Sequence, residues 1–307
     1  MKAFAIILFA LFTLAITSGC GNGSDLDANG VPKKLVIGMY GGDKPGQTKE
    51  AIEPLRLYLQ KQMGMEVQFF FTTDYTAVIQ ALRSKKIQMA QLTPFAYILA
   101  TQRPGLTPIA TLGLDGKPAL YHSIIFTTPK SGLKTMDDVK ARAKTLSLCF
   151  ADPASTSGHL IPRAYLTSIG LNPDSAFKET MFAGSHAASI LSVKSGKVDI
   201  GCSTSDLAMD KLIREGDVKK EDFVILWTSP PIINDVMTVR DDLNKDFIKK
   251  IQDAYINANK IDYASFNKFV KLYYPHTENM SYIAIPDSAY NGLRKIAGNI
   301  KDLKLNK

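Results

Sequence analysis

Short apolar runs alternate with amphipathic segments along this chain. Leu35–Tyr40 (LVIGMY) is closed by Gly41-Gly42, the pattern of a buried strand that enters a loop. Between Thr48 and Met63 the apolar positions Ile52, Leu55, Leu59 and Met63 step by three and four, which marks one face of a helix. Val67–Phe71 reads as a strand, and Thr73–Leu82 as a helix with Thr73 or Asp74 at its N-cap. Ile87–Leu92 is a strand, Pro94–Thr101 a helix and Thr107–Leu112 a strand. A turn at Asp115–Pro118 then precedes a long strand, Leu120–Thr127.

A second block follows. A helix is capped at Thr135–Asp138. Strands at 146–151, 180–183, 198–202 and 223–228 alternate with helices at 157–169, 185–195 and 205–215. An extended stretch covers 232–239, and 244–305 reads as mostly helical. Two successive β-α-β-α blocks predict the α/β class, with two mixed, largely parallel sheets flanked by helices. The long stretches at 120–127 and 232–239 are the expected two-strand hinge. Lobe 1 is then 33–119 plus 240–307, and lobe 2 is 120–239. Ligands of open α/β sheets sit beyond the carboxyl ends of strands, so two facing lobes would share one cleft.

The N-terminus departs from this pattern. Met1-Lys2 is followed by 14 almost wholly apolar residues, Ala3–Ile16. A membrane span needs about 20 residues, so the run fits a signal-peptide core. It ends in Thr17-Ser18-Gly19-Cys20, which resembles a bacterial lipobox with Thr where Leu is usual. The expectation is a signal peptide over 1–19 and a lipidated Cys20, giving an exported protein of the periplasm or cell surface. The Gly/Asn/Asp-rich stretch 20–32 is expected to be a flexible, lipid-anchored tether.

Composition narrows the class further. The 307 residues are 45% hydrophobic and 21% charged, which excludes disordered and collagen-like chains. The net charge of +8 is spread without runs of like charge, so no nucleic-acid partner is expected. Cys149 and Cys202 lie in separate strand-like runs; they could pair, and buried free thiols are the plainer expectation. No metal-ligand spacing occurs, and the four histidines are far apart in sequence, so neither metal nor cofactor is expected.

Three strand-to-helix corners carry the chemistry. In Ala151-Asp152-Pro153-Ala154-Ser155-Thr156-Ser157-Gly158 a strand ends and hydroxyls open a helix. A helix start leaves unpaired N–H groups and partial positive charge, a place for an anion. Gly184-Ser185-His186 and Thr72-Thr73-Asp74-Tyr75 repeat the arrangement. Any one corner alone is ordinary N-capping; three that converge on one cleft point to a ligand.

These stretches, with Val193-Lys194-Ser195-Gly196-Lys197-Val198-Asp199, resemble the phosphate/phosphite/phosphonate solute-binding proteins of ABC transporters. Pro94-Phe95-Ala96-Tyr97, Tyr121-His122-Ser123 and Ser229–Asp235 fall in family order, so the resemblance covers about residues 33–260. It implies a two-lobed, type II periplasmic-binding-protein-like fold that closes over a small phosphorus oxyanion and delivers it, as a monomer, to a membrane permease. By resemblance, Tyr75 and Tyr121 supply phenolic donors, Ser155, Thr156 and Ser157 hold oxyanion oxygens, Ser185 and His186 hold others, and Asp235 sits at the ligand. Where the family often has Ile-Pro-x-Asp-Pro, this chain has Ile-Ile-Asn-Asp-Val, so both prolines beside Asp235 are absent. In the second tier, Asp206 faces an amino group if the ligand carries one, or else caps a helix; His159 stands behind the site; Phe95 and Tyr97, with Tyr75, form an apolar corner for a P–H or P–C group.

A carboxylate beside an oxyanion is repulsive unless the ligand brings a proton. Asp235 would then accept from a P–OH while the hydroxyls and His186 donate to the other oxygens. Phosphite and small phosphonates such as methylphosphonate fit best. Two other classes share the architecture, a ligand sensor for a membrane kinase and a periplasmic enzyme. For the enzyme, no G-x-S-x-G elbow or Cys–His pairing is apparent.

Overall fold

The computed structural model describes residues 25–300. Residues 1–24, which include the expected signal peptide and Cys20, and residues 301–307 lie outside the described residues. The strands are β1 Leu35–Tyr40, β2 Val67–Thr72, β3 Met89–Leu92, β4 Leu106–Leu114, β5 Lys117–Pro118, β6 Leu120–Tyr121 and β7 Ser123–Thr127. They continue as β8 Ser147–Phe150, β9 Glu179–Phe182, β10 Ile200–Thr204, β11 Val224–Thr228, β12 Ile232–Ile233, β13 Val236–Arg240 and β14 Met280–Ile283. The helices in the first half are α1 Pro45–Met63, α2 Tyr75–Arg83, α3 Pro94–Ala100, α4 Met136–Arg142 and α5 Ile161–Ser168. The second half has α6 Pro173–Ala176, α7 His186–Lys194, α8 Asp210–Arg214, α9 Lys245–Ile256, α10 Ala258–Ile261, α11 Tyr263–Val270 and α12 Asn291–Gly298.

The strands make two mixed sheets. One has seven strands in the order β14-β4-β13-β3-β1-β2, with β5 paired to β4; the other has five in the order β11-β7-β10-β8-β9. Each is covered on both faces. Leu59, Ile109, Tyr255 and Phe266 pack on one side of the larger sheet, and Leu82, Phe95, Tyr97 and Tyr290 on the other. The smaller sheet is packed by Leu148, Phe150 and Leu166 on one face and by Phe126, Ile190 and Leu212 on the other. Both faces are buried, so the strands read as apolar runs rather than as alternation.

A ribbon of two short strands lies between the sheets, with Tyr121 opposite Ile232 and Leu120 opposite Ile233. The long strands expected at 120–127 and 232–239 are therefore each broken. His122 separates β6 from β7, and Asn234-Asp235 separate β12 from β13. β7 enters the five-stranded sheet and β13 the seven-stranded one, so the second crossing falls at 233–235 rather than after 239. The interruption frees Asp235 from strand pairing. A second difference is β14, a strand within the segment read as helical; it pairs with β4, its Tyr282 opposite Leu112.

The tether is corrected as well. Residues 25–32 are fixed on the larger sheet, not free. Asp27 Oδ1 accepts from the backbone N–H groups of Asn29 and Val31 at 2.8 and 2.9 Å, and Asp25 bonds the buried Arg240 at 2.6 Å. A Gly/Asn/Asp composition fits a tight Asx turn as well as a loose chain, and composition alone did not separate them.

The cysteines fall on adjacent strands. Cys149 pairs in register with Gly201, so Cys202 is one residue further along and points to the opposite face. Both are buried free thiols.

Candidate functional site

A cavity opens between the sheets at the carboxyl ends of β1 and β3 and the start of α2, facing the end of β10. Its volume is about 130 Å³. Tyr75, Tyr121, Ser157, His186 and Asp235, all expected from the sequence, line this one space.

The Ala151–Gly158 corner is built from its own hydrogen bonds. Asp152 Oδ1 accepts from Ala154 N–H at 2.7 Å. Ser155 Oγ accepts from Gly158 N–H at 2.9 Å and lies 3.2 Å from His186 Nε2. Gly158 is obligatory on space grounds, because a Cβ there would stand 2.4 Å from Ala151 Cβ and 3.0 Å from His186 Cε1. The segment Thr156–Leu160 is a π-type turn that leads into α5, a feature frequent at functional positions. Ala154 and Leu160 are buried in the same apolar cluster as Phe95, so the corner is packed into the core of the larger sheet.

Within this corner the three hydroxyls divide their tasks. Ser157 faces the cavity, and its carbonyl accepts from Ser123 Oγ at 2.6 Å. Thr156 Oγ1 instead accepts from Phe95 N–H at 2.8 Å, at the start of α3. Ser155 is spent on Gly158 and His186. Both Ser155 and Thr156 are fully buried behind the cavity wall. The Tyr121 hydroxyl lies within hydrogen-bonding reach of the Thr156 and Ser157 side chains, and burial holds its pKa well above the ordinary tyrosine value.

His186 is the first residue of α7, whose N-cap Ser185 accepts from Ala188 N–H at 3.1 Å. Its Nδ1 lies 3.1 Å from Ser203 Oγ, which completes a buried chain Ser155–His186–Ser203. Burial pushes His186 down to about 4, so the ring is neutral near pH 7. Ser185 itself does not line the cavity; its side chain is within reach of the Tyr40 hydroxyl.

Asp235 stands opposite. Its carboxylate receives one side-chain hydrogen bond among the described residues, from Gln91 Nε2 at 3.2 Å. Burial pushes it up to about 6, partly countered by Gln91. Tyr75, the first residue of α2 behind the N-cap Asp74, faces the Asp235 charge, and its ring packs at a tilt against that of Tyr40, 4.6 Å between centres. Asp152 is a second buried acid, also raised to about 6 by burial, and its partners include the Tyr75 backbone N–H.

The second tier lies elsewhere. Phe95 is buried and edges against His159, and Tyr97 donates to Asp287 at 2.5 Å and packs against Tyr290. Neither lines the cavity, because α3 turns these rings into the core. Asp206 accepts from His122 N–H at 2.8 Å and is not a helix cap; Thr204 fills that role. His159 is sealed among Phe95, Phe150 and Phe182, with Nδ1 2.7 Å from the Pro153 carbonyl.

Several lining residues were not singled out from the sequence: Tyr40, Gln91, Asn234, Tyr273 and Tyr274. Gln91 had a signal, a polar residue near the carboxyl end of an apolar strand. Tyr273 and Tyr274 had none, because the turn after α11 reaches the cavity only through tertiary packing.

The family model for "ABC transporter, phosphonate, periplasmic substrate-binding protein" matches residues 37–271. The "Phosphonates-binding periplasmic protein" of Escherichia coli K12 is 29% identical over 229 residues, 74% of this chain and 67% of that protein. The "Phosphate-import protein PhnD" of Mycolicibacterium smegmatis is 24% identical over 312 residues, 96% of each chain. A binding protein of a phosphonate ABC transporter from Pseudomonas aeruginosa superposes with TM-score 0.75 at 25% identity, covering 86% of this chain and 85% of that one. PhnD1 of Prochlorococcus marinus, solved with methylphosphonate, also gives TM-score 0.75, at 20% identity, over 87% of this chain and 98% of that one. With two α/β lobes, a shared cleft and a family match over most of its length, this chain belongs to the periplasmic phosphonate substrate-binding proteins of ABC transporters.

Proposed function

We propose that this chain is the extracytoplasmic receptor of an ABC importer and captures phosphite or a small phosphonate such as methylphosphonate by closing its lobes. The observation that carries the reading is Asp235. It is a buried carboxyl raised to about 6, aimed into a cavity whose wall also carries several tyrosines, Ser157 and a neutral His186, with Lys44, Lys211, Asp43 and Glu215 among its other lining residues. Such an acid is an acceptor for a P–OH, and the surrounding hydroxyls are donors for unprotonated oxygens, while both nitrogens of the His186 ring are held by Ser155 and Ser203.

In this reading Tyr75, Tyr121, Ser157 and His186 contact the ligand, while Ser155 and Thr156 position them. Ser185 and Asp206 act at the rim. The protein works in the periplasm or at the cell surface, anchored through lipid on Cys20, as a monomer that presents its closed form to a membrane permease. Transport, not catalysis, is its role.

Phosphate is a second reading with a specific support, because the relative matched over 96% of this chain is named a phosphate-import protein. Both ligands carry P–OH; they differ in whether a fourth oxygen finds a partner. Titration calorimetry with phosphite, methylphosphonate, 2-aminoethylphosphonate, phosphate and sulfate tests the proposal. Phosphite or methylphosphonate should bind tightest, and sulfate at least about tenfold more weakly, since it leaves Asp235 unpaired. Sulfate binding as tightly as the phosphorus ligands would sink the proton-acceptor role of Asp235.

A further inference from the structure

The strands of the larger sheet carry the site at one end; the other end holds a different set of groups. β1 and β3 run towards the cavity, and β13 runs away from it, from Val236 beside Asp235 to Arg240. A strand of six residues, such as β1, puts the two ends ~20 Å apart.

The segment 25–32 is fastened to this far end. Asp25 bonds Arg240 at 2.6 and 3.2 Å and accepts from Gln88 Nε2 at 2.8 Å. Asn244 N–H donates to the Gly30 carbonyl at 2.9 Å, and its side chain donates to Asn29 at 3.0 Å. Leu26 and Val31 pack on the apolar core of the sheet. Cys20 is five residues before Asp25, so covalent geometry allows at most ~18 Å between them.

Charge at this end is unbalanced. Asp25 and Asp242 are paired with Arg240, while Asp241 and Glu66 have the neutral partners Thr107 and Gln68. Lys33, Lys86 and Arg103 are exposed cations without an ion pair among the described residues. A depression there is lined by Arg83, Lys85, Arg103, Arg240 and Asp242; Asp242 is taken by Arg240 and Lys85, which leaves Arg83 and Arg103 without an ion pair among the described residues. Arg83 donates from Nη2 to the Leu99 carbonyl at 2.8 Å, its Nε is buried without a hydrogen-bond partner, and burial together with the neighbouring Arg103 holds the guanidinium below its ordinary value. Two guanidiniums without a carboxylate are a seat for a phosphate group.

We propose that this end of the larger sheet is the membrane-facing surface of the protein, with the Arg83–Arg103 depression seating the phosphate of an anionic lipid headgroup. The segment 25–32 holds lobe 1 against the bilayer, and the other lobe is the one that swings. The orientation rests on acylation of Cys20, as proposed above; the anion seat does not.

The test uses the full chain, processed and acylated in cells and reconstituted into vesicles of phosphatidylcholine alone or with phosphatidylglycerol. Reporters are attached at Lys86→Cys and, on the far side of the smaller sheet, at Lys130→Cys. A lipid-borne quencher should quench the reporter at 86 several-fold more than that at 130; equal or reversed quenching overturns the orientation. Phosphatidylglycerol should strengthen vesicle association of the wild type. Arg83→Gln with Arg103→Gln should lower that preference by about fivefold for each cation lost; an unchanged preference overturns the seat. If inorganic phosphate alone, and not phosphatidylglycerol, alters the reporter at 86, the seat takes a free anion and the lipid assignment falls. Mass analysis that shows no acyl chain removes the tether and overturns the orientation. Calorimetry with methylphosphonate on the same samples reads the cleft separately, so loss of that heat counts against the receptor function and not against this surface.

Discussion

Lys44 Nζ stands 2.7 Å from Glu215 Oε2 and 2.7 Å from Asp217 Oδ2, so one ammonium at the start of α1 bridges to the end of α8. Lys44, Glu215 and Lys211 all line the cavity, and Lys211 Nζ lies 5.8 Å from the centre of the Tyr273 ring. The mouth is thus crossed by an ion-pair cluster between elements attached to different sheets.

Such a cluster favours the closed arrangement and is screened by salt. Lys44→Ala is expected to speed ligand release by a few-fold while binding enthalpy stays near that of the wild type. Raised ionic strength should speed release from the wild type and do little in the variant. Stopped-flow release rates that are the same in both proteins at every salt concentration would rule the latch out.

Four buried groups contribute to the pH dependence of stability. Burial raises Asp235 and Asp152 to about 6 and depresses His186 and His159 to about 4. An acid raised on folding stabilises the fold below its ordinary value and loses that contribution as pH rises through about 6. A histidine depressed on folding does the reverse, contributing above its ordinary value and losing this as pH falls through about 4. Between these limits the slopes oppose one another, each about 1.4 kcal/mol per pH unit per group. Asp235→Asn removes one acid, so the variant's stability should rise with pH relative to wild type by about one such slope. Urea unfolding of both proteins across this range checks the difference; parallel curves contradict the assignment.

Neighbouring hydroxyls in the Ser155–Ser157 corner should separate by role. Thr156→Val leaves the Phe95 N–H buried without its acceptor, which should cost ~1–3 kcal/mol of stability. Ser157→Ala removes a cavity-facing hydroxyl and should weaken ligand binding by about tenfold with a smaller stability loss. Unfolding and calorimetry on both variants decide this; the reverse pattern would mean that Thr156 is the ligand contact. Gly158→Ala should lose binding altogether, because its Cβ would displace Ala151 and His186.

The cysteine arrangement predicts insensitivity to reductant. Cys149 and Cys202 lie on adjacent strands with side chains on opposite faces of the sheet, in different apolar clusters. The melting temperature should be unchanged by a reducing agent, and both thiols should react with a thiol probe only after unfolding. Protection from the probe in denaturant without reductant would indicate a disulfide.

The alternation of apolar runs and helical faces established the α/β class, most strands and the corners that open helices. These are local properties, set by side-chain period and capping chemistry within a few residues. Thus Tyr75, Ser157 and His186 were legible as residues of strand-to-helix corners that share one cleft, whereas Asp235, inside the extended stretch 232–239, came from the resemblance. Only the tertiary structure decided what each side chain faces. It turned Thr156 to Phe95 and Tyr97 to Asp287, brought Gln91 and Tyr274 to the cavity, and bound Asp25 to Arg240 across 215 positions of sequence. Those pairings join segments far apart in the chain, and nothing in the period of either segment encodes its partner. Packing density and the need to satisfy buried polar groups select them once the sheets have assembled.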